Sequence, residues 1–145
     1  MFSLLFFIFS CTTKAPPANV EALLQPNSVE PQQAPDQFRV LFTTTKGELL
    51  LEVYREWAPI GVDRFHHLVS IGYYRNIAFF RAIKGFMTQF GIHGNPEINA
   101  IWKRNRIQDD PVRGSNTAGI ISFASAGPNT RTVQLFINTM DTASH

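Results

Sequence analysis

The sequence predicts a mainly β domain, an antiparallel sheet or barrel capped by a helix. Three observations carry this. Apolar stretches rich in β-branched and aromatic residues, the first with clear period-2 alternation, recur at 38–54, 79–91, 119–126 and 133–138. A single segment, APIGVDRFHHLVSIGYY at 58–74, has helical spacing of its apolar residues. The strand–helix–strand alternation that builds a parallel sheet is missing.

The chain has 145 residues and a net charge of +2, the size of one domain with no large charge imbalance. Nucleic-acid binding leans on a strongly basic face, so no nucleic-acid partner is expected. The basic run Lys103-Arg104-Asn105-Arg106 is soon offset by Asp109 and Asp110 and reads as a solvated loop.

Residues 1–11 read as a signal and lipobox segment. MFSLLFFIFS is apolar but shorter than the roughly 20 residues a membrane-spanning helix needs. It runs into Ile8-Phe9-Ser10-Cys11, which resembles the bacterial lipobox, so Cys11, the only cysteine, is the expected lipidation site. Residues 12–37 hold five of the nine prolines and are expected as an extended, semi-rigid tether, NVEALLQ being too short to form a helix alone. The folded domain is then 38–145, held off a membrane by anchor and spacer.

Within it, FRVLFTTTKGELLLEVY predicts a hairpin turning at Lys46-Gly47. Pro59 starts a helix that Gly72 stops, with Val62, Phe65, Leu68 and Val69 on one stripe. FFRAIKGFMTQFG at 79–91 predicts a second hairpin bending at Lys84-Gly85. Residues 93–118 read as a long loop, with Trp102 and Ile107 as candidate anchors. GIISFASA and VQLFIN predict two more strands. In the last, Val133, Leu135 and Ile137 share the core face, while Gln134, Phe136 and Asn138 share the other. An aromatic on the polar face, together with Arg81, Phe86, Met87 and Gln89, points to a small apolar patch ringed by hydrogen-bond donors.

Other chemistries fit poorly. Ala124-Ser125-Ala126-Gly127 lacks the first glycine of a nucleophile elbow and precedes a strand, where the elbow needs a helix. His66 and His67 are adjacent on a helix and point about 100° apart, and His93 and His145 have no ligand pattern around them. These histidines read as helix-surface and loop residues. No metal and no cofactor is expected.

FFRAIKGFMTQFG and GIISFASAGPNTRTVQLFIN together resemble the cyclophilin-type peptidyl-prolyl cis–trans isomerases, over roughly residues 38–143. The resemblance implies an antiparallel β-barrel capped by helices that binds proline-containing peptides or unfolded clients on an outer face. It implies that Arg81 points at the prolyl amide and that Gln89 bonds the peptide backbone. Phe86, Met87 and Phe136 line the proline pocket, and Ala124, Ser125 and Gln134 flank the groove for the residue before proline. Lys84, Phe90 and Ser125 stand where many members have proline, glycine and asparagine. The tether, signal and DDPV loop look like the exported bacterial branch, which places the protein in the cell envelope, facing the periplasm, as a monomer. The family's last strands and second helix have no counterpart before NTMDTASH, a pocket tryptophan falling near Ser144 or His145, so a C-terminally truncated, poorly stable barrel with one capping helix is expected. A non-catalytic proline-peptide-binding or chaperone module tethered to a membrane is the alternative, and an anchored structural domain with no ligand is a third.

Overall fold

The long hairpin is the first element of the domain. In the computed structural model, which describes residues 17–141, strand β1 (Gln37–Thr44) pairs antiparallel with β2 (Gly47–Tyr54) from Gln37 opposite Tyr54 to Thr44 opposite Gly47. The turn is Thr45-Lys46, one residue earlier than expected. The Thr44 hydroxyl accepts from Lys46 N and donates to Gly47 O, and Gly47 takes φ +136°, which glycine adopts readily. Alternation places Phe38, Val40 and Phe42 on one face, toward Phe65 and Phe90.

Helix α2 (Pro59–Ser70) follows a 3-10 turn at Arg55–Trp57. Ala58 supplies no capping side chain. Instead the Asp110 carboxylate, some fifty residues away, accepts from Ile60 N and Gly61 N at 2.8 Å each, satisfying two of the N–H groups that a helix start leaves open. A Cβ on Gly61 would lie 2.9 Å from Arg131 Nη1 and 3.2 Å from Asp110 Oδ2, so this position needs glycine. The helix buries Phe65 and Leu68 as expected, but also His67, at 4% exposure and 6.1 Å from the Trp102 ring. That corrects the surface reading of this histidine, because neighbouring elements cover two sides of the helix.

Strands β3 (Arg81–Ile83), β4 (Met87–Phe90), β5 (Ile121–Phe123) and β6 (Leu135–Asn138) form one antiparallel sheet in the order β3-β4-β6-β5. Its inner face carries Phe90, Leu135, Ile121, Phe123 and Ile137, which meet the hairpin and α2 in one core. Phe90 and Leu135, the two of these that are buried outright, contribute about 1.5–3 kcal/mol each.

Two expectations are corrected. The sheets do not close into a barrel: β1–β2 is a separate two-stranded sheet with no ladder to the four-stranded one. An apolar cleft of about 860 Å³, lined by residues of both sheets such as Leu51, Val53, Ile121 and Ile137, lies beside this shared core. Nor is there a single helix. Three α-helices lie among the described residues, the other two being α1 (Val20–Leu24) and α3 (Pro96–Trp102).

Helix α3 starts on Asn95, whose side chain accepts from Glu97 N at 2.8 Å, and on Pro96 at its first position. It buries Ile98 and Trp102, one turn apart. Helix α1, inside the segment expected as a tether, is capped by Asn19 and buries Ala22 and Leu23 in a second core with Leu68, Tyr73 and Trp102. The Trp102 indole donates to Leu23 O at 2.9 Å, and Asn19 N donates to Ile71 O at 2.9 Å. Gly72, at φ +76°, allows the approach, since its Cβ would meet Ala18 at 2.9 Å. Packing thus supports a helix that propensity alone cannot. The signal and lipobox segment at 1–11, Cys11, and the expectation for Ser144 and His145 lie outside the described residues.

Candidate functional site

The outer face of the four-stranded sheet gathers the polar residues of the two motifs. Arg81 is paired with Gln89, Gln89 with Phe136, and Phe136 with Ser122. Directly opposed residues of neighbouring strands share a face with Cβ atoms about 4.5–5.5 Å apart, so these four form one row across the sheet. The next row on the same face is Ile83, Met87 and Asn138.

Hydrogen bonds order the row. Arg81 Nη1 donates to Gln89 Oε1 at 3.3 Å, and Gln89 Nε2 donates to Gln134 Oε1 at 2.9 Å. The Gln89 amide is thereby oriented at both ends. A guanidinium carries five N–H donors, and the bond to Gln89 takes one, on a side chain that is exposed. Phe136 is half-buried beside it, with its ring on the outer face, as the alternation in VQLFIN requires.

The remaining predicted residues divide. Ala124 N donates to Gln134 O at 2.9 Å, continuing the β5–β6 pairing past its end, so Ala124 and Gln134 extend the same face. Met87 shares that face but is only 4% exposed, which makes it more deeply seated than a surface pocket wall. Phe86 and Ser125 lie beyond the ladders at opposite ends. Phe86 is half-buried in the turn after β3, its carbonyl accepting from Thr139 N at 2.9 Å, and Ser125 is exposed in the loop after β5. Gly85 makes the turn with φ +74°.

Sequence reasoning passed over Ser122 and Gly91. Ser122 stands in the row and donates to Asn116 Oδ1 at 2.7 Å; the alternation of GIISFASA could have placed it with Ala124. Gly91 follows β4 with φ +108°, and a Cβ there would sit 2.6 Å from Val133 O. Only glycine lets the chain pass this close to β6 and leaves Gln89 within reach of Gln134. Tyr73 and Tyr74 brace this crossing, donating to Gly91 O at 3.1 Å and Val133 O at 2.9 Å. Burial pushes both phenols upward, keeping them neutral donors.

The loop after β5 is fastened from behind. Arg131 Nη1 donates to Asp110 Oδ2 at 3.0 Å, its Nε lies 3.0 Å from Asp109 Oδ1, and its guanidinium stands 5.6 Å from the Phe123 ring. The large cleft between the sheets opens on the inner face, lined by Leu135 and Ile137, and is a different place from the Arg81 row.

The family model described as cyclophilin type peptidyl-prolyl cis-trans isomerase/CLD matches residues 39–145. Peptidyl-prolyl cis-trans isomerase-like 2 of Neurospora crassa is 40% identical over 111 residues, 73% of this chain and 18% of that protein. Peptidyl-prolyl cis-trans isomerase-like 1 of Gibberella zeae is 38% identical over 101 residues, 68% of this chain and 62% of that protein. The chain thus spans less than two thirds of either relative. Among solved structures, the Cryptosporidium parvum cyclophilin type peptidyl-prolyl cis-trans isomerase in the presence of the dipeptide Ala-Pro superposes with a TM-score of 0.62 at 30% identity, covering 73% of this chain and 70% of that one.

These findings correct the expected branch. The relatives are eukaryotic proteins, so the assignment to an exported bacterial branch, and with it the periplasm-facing envelope location and lipid anchor, is not upheld. Among the described residues no helix is long and apolar enough to cross a membrane.

Proposed function

The chain belongs to the cyclophilin-type peptidyl-prolyl cis–trans isomerases, and on that premise we propose that it accelerates rotation about X–Pro bonds in peptides and unfolded protein clients. The observation that carries the reading is the row in which Arg81, Gln89 and Phe136 stand side by side on three adjacent strands.

Amide resonance opposes rotation with a barrier of about 18–20 kcal/mol. Lowering it requires neither a nucleophile nor proton transfer to carbon. As the bond twists, conjugation is lost and the lone pair localises on the prolyl nitrogen. Arg81 donates a hydrogen bond to that lone pair and so favours the twisted state over the planar one. A guanidinium is charged throughout the working pH range, so its part is electrostatic. Phe136, with Phe86 and the buried Met87, holds the pyrrolidine ring. Gln89, oriented by Gln134, holds the peptide backbone on one side while the other turns. Ala124 and Ser125 border the residue before proline. Each tenfold in rate needs about 1.4 kcal/mol, so a few such contacts supply a large acceleration.

We assign these roles to the domain at 38–145, which the family match from residue 39 supports, acting as a single copy since the row comes from one chain. A protease-coupled isomerisation assay on a proline tetrapeptide tests the reading. Acceleration by the wild type that Arg81→Ala abolishes supports it. Equal rates for both, with peptide binding intact, favour the second reading, a non-catalytic proline-peptide-binding module.

A further inference from the structure

We propose that Asp109, with Asn129 and Arg131, positions the 124–130 loop against the outer face and thereby sets how tightly the residue before proline is held. This rests on the isomerase reading of the Arg81 row.

The loop leaves β5 at Ala124 and returns to β6 after Arg131. Inside itself it has few ties: Ala126 N donates to Thr130 Oγ1 at 2.8 Å, and that hydroxyl donates to Gly127 O at 2.7 Å. Its fastening comes from a segment twenty residues earlier in the chain. Asp109 N donates to Asn129 Oδ1 at 2.8 Å, and Asn129 N donates to Asp109 Oδ2 at 2.7 Å. Each side chain thus takes the other's backbone N–H, a reciprocal pair that fixes orientation as well as distance. Asn129 holds φ +55°, a conformation that asparagine tolerates better than most residues and that the pair maintains.

Arg131 extends the fastening to the body of the fold. It contacts the Asp109 and Asp110 carboxylates and donates to Gln108 O, while Ile107 N donates to Arg131 O at 2.9 Å. Asp110 in turn caps α2 through Ile60 and Gly61. A continuous set of polar contacts therefore runs from the start of α2 to the loop carrying Ser125. Asp109 is the member that holds the loop without capping the helix, and it is partly exposed. Its removal separates positioning from folding.

The test uses the full chain with a series of tetrapeptides differing only in the residue before proline. Asp109→Ala is expected to raise KM about fivefold, in line with losing a hydrogen bond, with kcat within about twofold and the ranking of the series flattened. Asp109→Asn, which keeps an acceptor for Asn129 N–H, is expected to restore most of the KM. Amide hydrogen exchange at Ala126, whose bond does not involve Asp109, is expected to quicken about tenfold in Asp109→Ala. Unchanged KM, unchanged ranking and unchanged Ala126 exchange would overturn the proposal, as would a loss of kcat with KM preserved. If the wild type turns over no peptide, the isomerase reading fails by itself, and exchange at Ala126 with peptide titration still decides the positioning.

Discussion

Arg81 and Gln89 face each other across the β3–β4 ladder, with the guanidinium donating to the amide oxygen at 3.3 Å and the amide nitrogen donating onward to Gln134. The guanidinium that we propose as the catalytic cation is therefore held through a glutamine that is itself held. Replacing Gln89 by Ala removes the middle of this chain of bonds. We expect kcat/KM to fall about tenfold, the effect of losing roughly 1.4 kcal/mol of transition-state stabilisation, with Gln134→Ala falling less. Progress curves for the isomerisation of a proline tetrapeptide measure both.

Asp110 and Arg131 form an ion pair whose side chains are 5% and 11% exposed, and Asp110 also caps α2. Removing Arg131 strands a buried carboxylate, and removing Asp110 leaves the mostly buried Arg131 with only the more exposed Asp109 as an ion-pair partner. Asp110→Ala and Arg131→Ala should each lose about 3 kcal/mol of stability, read from denaturant midpoints with unchanged slope. The double variant should lose less than the sum of the two, because each single change already breaks the pair.

Leu23 is buried against Trp102 in a segment whose prolines read as a tether. If α1 is part of the fold, Leu23→Ala costs about 2–5 kcal/mol. A calorimetric melt then shows a clear fall in the midpoint. A variant at Val20, which is exposed, should leave it within error.

His67 is buried against Trp102, and burial, with lesser effects from Arg64 and His66, holds its pKa below the ordinary 6.5. Burial also lowers His93. Below pH 6.5 the unfolded chain binds protons that the native imidazoles refuse, so stability is full above that pH and declines as the pH drops further. The slope from His67 is at most about 1.4 kcal/mol per pH unit. Urea midpoints at pH 7.5 and 5.5 should show the decline, and His67→Gln should reduce it.

Much of this was legible in the sequence, for physical reasons that differ by element. The hairpin and β6 announced themselves through period-2 alternation, and that same alternation put Phe136 on the face with Gln134. The register joining Arg81, Gln89 and Phe136 was not in any one segment, because it depends on which strands become neighbours. Helix α3 was hidden by Asn95 and Pro96, which read as loop residues yet act as cap and first helical position. Helix α1 was hidden because its stability comes from Trp102, nearly eighty residues away. The Asp110 cap on α2 escaped for the same reason: local capping rules look one residue back, and Ala58 supplies nothing there. The strand pattern left sheet and barrel both open and the resemblance implied closure, but the two sheets remain separately paired, because which strands become neighbours is not written in any one segment.

The central claim is that Arg81 promotes twisting of the prolyl bond. It is tested most directly at equilibrium, by exchange NMR on an Ala–Pro peptide with a small amount of the protein. Uncatalysed interconversion takes tens to hundreds of seconds. The wild type should give cis–trans exchange within the mixing time, and Arg81→Ala should slow it by about a hundredfold while the peptide still shifts on binding. Exchange of equal speed in the two proteins would contradict the account.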